Sequence, residues 1–99
     1  IYDVPCDKLS ALVKRARLPR QIDLMSVDIE GGEYRALSTF DWSAHEVRVI
    51  VIEPGNSCFS KHKNLCAELL KAQGFCLVAR RAVNEYWVSD PIFRQTYCL

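Results

Sequence analysis

Ninety-nine residues, 49% apolar and 25% charged, make one small domain or part of a larger one, with the composition of an ordinary globular chain. A formal net charge of +1 gives no electrostatic reason to expect nucleic acid or an anionic membrane surface as partner. No apolar stretch approaches the roughly 20 residues that a membrane-crossing helix needs.

The amino terminus, IYDVPCD, carries neither an initiator Met nor a signal-peptide layout, so the chain reads as cut from something longer. Leu9, Leu12, Val13 and Ala16 recur at helical spacing behind Asp7, a candidate N-cap, which predicts a helix over about residues 8–17. Leu18-Pro19 should end it, because the residue before proline disfavours the α region. Next comes IDLMSVDIEGGE. Ile22, Leu24, Met25, Val27 and Ile29 fit a strand over 22–29 covered on both faces, as in a parallel sheet flanked by helices. Asp28 and Glu30 arrive at its carboxyl end, where open α/β sheets place their ligand crevices.

Gly31-Gly32 predicts a tight turn into a short helix near 33–40 whose Leu37 and Phe40 face the sheet. VRVIVIEPG then reads as a second doubly covered strand over 47–53, stopped by Pro54-Gly55. Leu65, Leu69 and Leu70 mark a helix over 60–73, with Ser60 as candidate cap and Gly74 suited to the left-handed position after its end. FCLVAR at 75–80 and EYWVS at 85–89 close the chain, and the few residues between them imply an antiparallel hairpin. The order is α-β-α-β-α-β-β. Right-handed crossovers would set strands 22–29 and 47–53 side by side and parallel.

The five cysteines, Cys6, Cys58, Cys66, Cys76 and Cys98, contain no CxxC pair and are odd in number. Zinc ligation and a complete disulfide framework are poor readings. Reduced, partly buried thiols in a reducing, cytoplasmic compartment are the expectation.

The stretch IDLMSVDIEGGEYRAL followed by RVIVIEP resembles the FkbM family of S-adenosylmethionine-dependent methyltransferases. That family's hallmark is a strand reading roughly "iDllkiDvEGhElevL", then one reading "vivlE". The matching residues here are Ile22-Asp23-Leu24, Asp28-Ile29-Glu30-Gly31, Glu33, Leu37 and Glu53, and VPCDKLSALV looks, more loosely, like the family's "tLDdLl" helix entry. The similarity covers residues 3–53, and the terminal hairpin agrees with the methyltransferase sheet's antiparallel last strand.

The resemblance implies a partial Rossmann-like α/β fold, with residues 1–99 as the carboxyl-terminal half of the domain. Its strands would correspond to the family's fourth, fifth, seventh and sixth in spatial order. The departure lies in the cofactor loop. The fold holds its cofactor through a Gly-rich loop after the first strand, and Gly31, Gly32, Gly55 and Gly74 form no such G-x-G. S-adenosylmethionine is therefore expected in the intact parent protein and not on this chain alone. Without the first strand as neighbour, strand 22–29 would also present a free apolar edge, which invites self-association.

Asp28, Glu30 and Glu53 should project from strand ends into one crevice. They are the catalytic candidates, orienting the acceptor hydroxyl or taking its proton as methyl leaves sulfur. A divalent-cation site is the second functional reading of clustered carboxylates. Glu33, in the first turn of the short helix, reads as a helix-end and turn residue. His45 and Asn56 are weaker candidates for the acceptor side, each set against an ordinary polar loop role. His62 is a further histidine of the same standing. Lys14, Arg15, Arg17 and Arg20 read as the wet side of the first helix, and Tyr86 and Trp87 as packing.

The expected activity is methyl transfer from S-adenosylmethionine to a hydroxyl of a small molecule or sugar. The competing reading, from another class, is a non-catalytic α/β interaction domain derived from a methyltransferase.

Overall fold

A computed structural model describes residues 5–54 and 60–89. Among them the chain runs α1 (Leu9–Arg15), β1 (Gln21–Val27), α2 (Glu33–Ser38), β2 (Glu46–Ile52), α3 (Ser60–Ala72), β3 (Cys76–Arg81) and β4 (Asn84–Val88). This is the predicted α-β-α-β-α-β-β order. The strands form one mixed sheet in the order β1-β2-β4-β3, with β1 parallel to β2 and β4 antiparallel to both of its neighbours.

The register explains why the two apolar runs sit side by side. Ile22 faces Val47 and Val27 faces Ile52, and the ladder continues one step further, where the Glu53 amide donates to the Val27 carbonyl at 3.3 Å. Strand β4 slots between β2 and β3, with Ile50 opposite Trp87 and Ile52 opposite Glu85. Beyond β4 the Ser89 hydroxyl donates to the Val47 carbonyl at 2.6 Å, which extends the seam.

All three helices supply one core. Val13 of α1, Leu37 of α2, and Cys66 and Leu70 of α3 pack with Val27, Ile50, Ile52 and Trp87. Leu37, Ile50, Ile52 and Leu70 are fully buried, each stabilising the fold by about 1.5–3 kcal/mol relative to an exposed position. Beside them Phe40, Trp42 and Phe75 stack edge to face, with centroids 4.8 Å and 5.7 Å apart. The Trp42 indole donates to the Leu37 carbonyl, tying the end of α2 to this cluster.

The expectation that β1 is covered on both faces does not hold. Val27 is buried and Met25 half-buried, but Leu24 is 60% exposed and Ser26 is exposed too. Met25 and Val27 share the face of Ile50 and Ile52 by register, whereas Leu24 and Ser26 share that of Val49 and Val51, which are only half-buried. The helices named above pack on the first face, and β1 ends the sheet as an edge strand.

Three local expectations also change. Lys8, not Asp7, occupies the N-cap of α1, and Asp7 instead accepts from the Lys8 amide and pairs with Arg15 at 2.8 Å. The helix stops before Leu18-Pro19, because Arg17 turns into the left-handed region at φ 55°. Cys76 is disulfide-bonded, which corrects the expectation of reduced thiols at that position. Gly74 takes its left-handed place after α3 at φ 90°, as its sequence position predicts. The side chain of Ser60 and residues Gly55, Cys58 and Cys98 lie outside the described residues.

Candidate active site at the carboxyl end of the parallel strands

Strands β1 and β2 run out together, so the first residue after each lands at the same edge of the sheet. Those residues are Asp28 and Glu53. Their carboxyls come close enough to share a hydrogen bond. Through that bond first, and then as a like charge, Asp28 pushes the Glu53 carboxyl above its ordinary value, with desolvation, Glu30 and Glu33 adding to the rise. A glutamate so placed holds its proton more readily than an isolated one would.

Glu30 stands in the turn and not on the strand, since β1 ends at Val27. Its backbone is left-handed at φ 54°, followed by Gly31 at φ 100°. A non-glycine residue there costs about 1–2 kcal/mol, so something must hold it. Glu33 does. That side chain is 1% exposed, and its carboxylate accepts the Ile29 amide at 2.7 Å and the Gly31 amide at 3.1 Å. Hydrogen bonds to a charged acceptor contribute about 1.5–3 kcal/mol each, enough to outweigh the strain. The helix-end and turn role expected of Glu33 is therefore seen, with both bonds directed to the turn.

Glu85 is a buried acid that sequence reasoning missed. It is 4% exposed, accepts from the Trp87 indole at 3.3 Å and pairs with Arg80 at 3.3 Å. The alternation in NEYWV carried the signal, since it sets Glu85 on the same face as buried Trp87. Between Glu33 and Glu85 lies Cys66 of α3, whose thiol is pushed up to about 11, by burial first and then by those two acids.

A cleft of about 940 Å³ opens beside the acids, between α1, the end of β1 and the start of α2. Leu9, Leu12, Met25, Val27 and Ile29 give it an apolar wall, and Asp28 lines it with Arg35. Glu30 and Glu53 are not among its lining residues.

His45 is not brought to this site. It precedes β2, eight residues before Glu53, or roughly 25 Å at the usual strand rise. There it contacts the Pro19 carbonyl through Nδ1 at 2.9 Å and stacks near Phe40. His45 and the acids therefore sit at opposite ends of β2, because one precedes the strand and the other follows it. Asn56 and the side chain of His62 lie outside the described residues. Lys14, Arg15, Arg17 and Arg20 are exposed, as expected of a wet helix side, and Trp87 is packed in the core.

The profile of the Methyltransferase FkbM domain matches residues 1–76. The chain belongs to the FkbM methyltransferase family. Comparison with curated proteins and with solved structures returned no match. In this FkbM chain the strand that leads into the D-x-E-G-x-E segment and the strand that ends at Glu53 are hydrogen-bonded neighbours.

A side chain at Gly31 would meet nothing within 4 Å, and one at Gly32 would meet the Ile29 Cδ1 at 3.2 Å. Gly31 is left-handed at φ 100°, a backbone conformation that favours glycine. Among the described residues no group of three or more His, Cys, Asp or Glu is disposed to hold a metal ion, and no helix is long and apolar enough to cross a membrane.

Proposed function

We propose that this chain is the acceptor-side half of a Rossmann-like, S-adenosylmethionine-dependent O-methyltransferase, carried by a longer parent protein. The observation that supports it best is the meeting of Asp28 and Glu53 at the ends of two parallel strands in a chain of the FkbM family. The acceptor, a hydroxylated small molecule or sugar, enters by the cleft that Asp28 lines. Asp28 accepts a hydrogen bond from the hydroxyl and takes the proton that the oxygen must lose when it is alkylated. Glu53, which Asp28 makes hold its own proton more tightly than a free carboxyl, is the second carboxyl beside that base. Glu30 adds negative potential from the turn. S-adenosylmethionine, when bound, supplies the methyl group, and residues of the parent beyond those described hold it. In isolation the chain pairs with copies of itself along the open β1 edge.

The test uses the polypeptide at its natural length, labelled S-adenosylmethionine and a panel of hydroxylated acceptors. Asp28→Asn and Glu53→Gln should each lower kcat/KM by about 10²–10⁴-fold, the usual range for a lost general acid or base. Activity that survives both substitutions within a factor of three would refute the assignment. Tight, stoichiometric calorimetric binding of S-adenosylmethionine to these 99 residues alone would overturn the view that the cofactor is held elsewhere.

A further inference from the structure

We infer that Glu33 is a positioning residue for the acid site: its buried carboxylate clamps the Ile29 and Gly31 amides and so fixes Glu30 beside the Asp28–Glu53 pair. The inference rests on the acceptor-side reading above, because it gives Glu33 a role in setting that pair's proton affinity without touching substrate.

The geometry leaves Glu33 a specific task. The two amides it binds flank Glu30, so the clamp closes over one residue. Glu30 and Gly31 are consecutive left-handed positions, and a glutamate does not adopt that conformation unassisted. The turn has one backbone bond of its own, from the Gly32 amide to the Ile29 carbonyl at 3.3 Å, and that bond spans the turn without touching the amide of Gly31. With the clamp closed, the exposed Glu30 side chain stays near enough to Glu53 to act on it as a like charge. With the clamp open, Glu30 is free to leave for solvent.

Neither close relative of glutamate replaces it. Aspartate keeps the charge but is one methylene shorter and reaches at most one of the two amides. Glutamine keeps the length but presents an N–H₂ group to a backbone N–H, donor against donor. The groups that bear on the measurement are Asp28 and Glu30 from the turn and Glu33 from α2, all facing Glu53, with the Cys66 thiol of α3 facing Glu33.

Amide hydrogen exchange on the natural-length polypeptide comes first and needs no variant. The Ile29 and Gly31 amides should be protected, and free exchange at both would overturn the clamp at once. In Glu33→Asp and Glu33→Gln at least one of these amides should exchange about tenfold faster or more. The second measurement is the carboxyl titration of Glu53 by carbon NMR. Its midpoint should fall in Glu33→Asp although total charge is unchanged. In a Glu30→Gln background the same substitution should move it much less, because only the direct effect of Glu33 on Glu53 is left. An unmoved midpoint in Glu33→Asp, or an equal fall in both backgrounds, would overturn the proposal. Neither readout involves methyl transfer, so intact coupling in an enzyme indifferent to Asp28→Asn would refute the catalytic reading alone.

Discussion

Leu37 and Leu24 are the same side chain in opposite settings, and comparing them tests the one-sided sheet. Leu37 on α2 is fully buried against the core, while Leu24 on β1 is 60% exposed. Replacing Leu37 with Ala removes a side chain from a packed site and leaves a cavity, for which about 3 kcal/mol is a moderate figure. A chain of this size has a total stability of about 5–15 kcal/mol. At about 4–8 °C per kcal/mol the melting temperature should fall by about 12–24 °C. At Leu24 only two-fifths of the side chain is out of water, and complete burial contributes about 1.5–3 kcal/mol, so truncation should cost about 1 kcal/mol or less. Urea unfolding followed by the fluorescence of buried Trp87 gives both values from one signal. Because the comparison holds chemistry constant, errors in the unfolded-state reference largely cancel. If Leu24→Ala costs as much as Leu37→Ala, something covers the second face of the sheet, and the conclusion that the helices pack on one face fails.

The site makes a pH prediction whose sign is fixed by the direction of one shift. Glu53 binds its proton more tightly folded than unfolded, so its contribution is present below the ordinary carboxylate value and is lost as pH rises through the folded one. Stability in Asp28→Ala should lose this decline, as denaturant midpoints across mildly acidic pH will report; a slope identical to that of the unmodified chain would contradict the shared proton. The thiols should separate as sharply. With its thiol pushed up to about 11, Cys66 should alkylate roughly 300-fold more slowly at neutral pH than a peptide cysteine, whereas exposed Cys6 is accessible. Timed labelling with mass mapping measures both, and prompt modification of Cys66 in the folded chain would refute its burial.

What the sequence disclosed follows from which interactions are local. Strands β1 and β2 each advertise themselves by an apolar run ending at an acid, and the short crossover between them leaves parallel pairing as the natural outcome. Asp28 and Glu53 could therefore be placed together from residues alone. The location of His45 was equally readable, because a residue before β2 must lie at the end opposite the one after it. The clamp was not readable: it depends on Glu30 adopting a positive φ, and glutamate gives no sign of that as glycine would. Nor could the run QIDLMSV reveal that Leu24 faces outward. An apolar strand records that its side chains suit burial, while the cover for each face comes from segments distant in the chain. Leu24 and the outer edge of β1 both carry the chemistry of an interior position: among the described residues Leu24 is 60% exposed and no strand pairs with β1 on its outer side. An apolar side chain and unpaired strand amides left at one edge are together costly in water, and that shared cost is the physical reason to look for pairing at β1 before looking anywhere else on this domain.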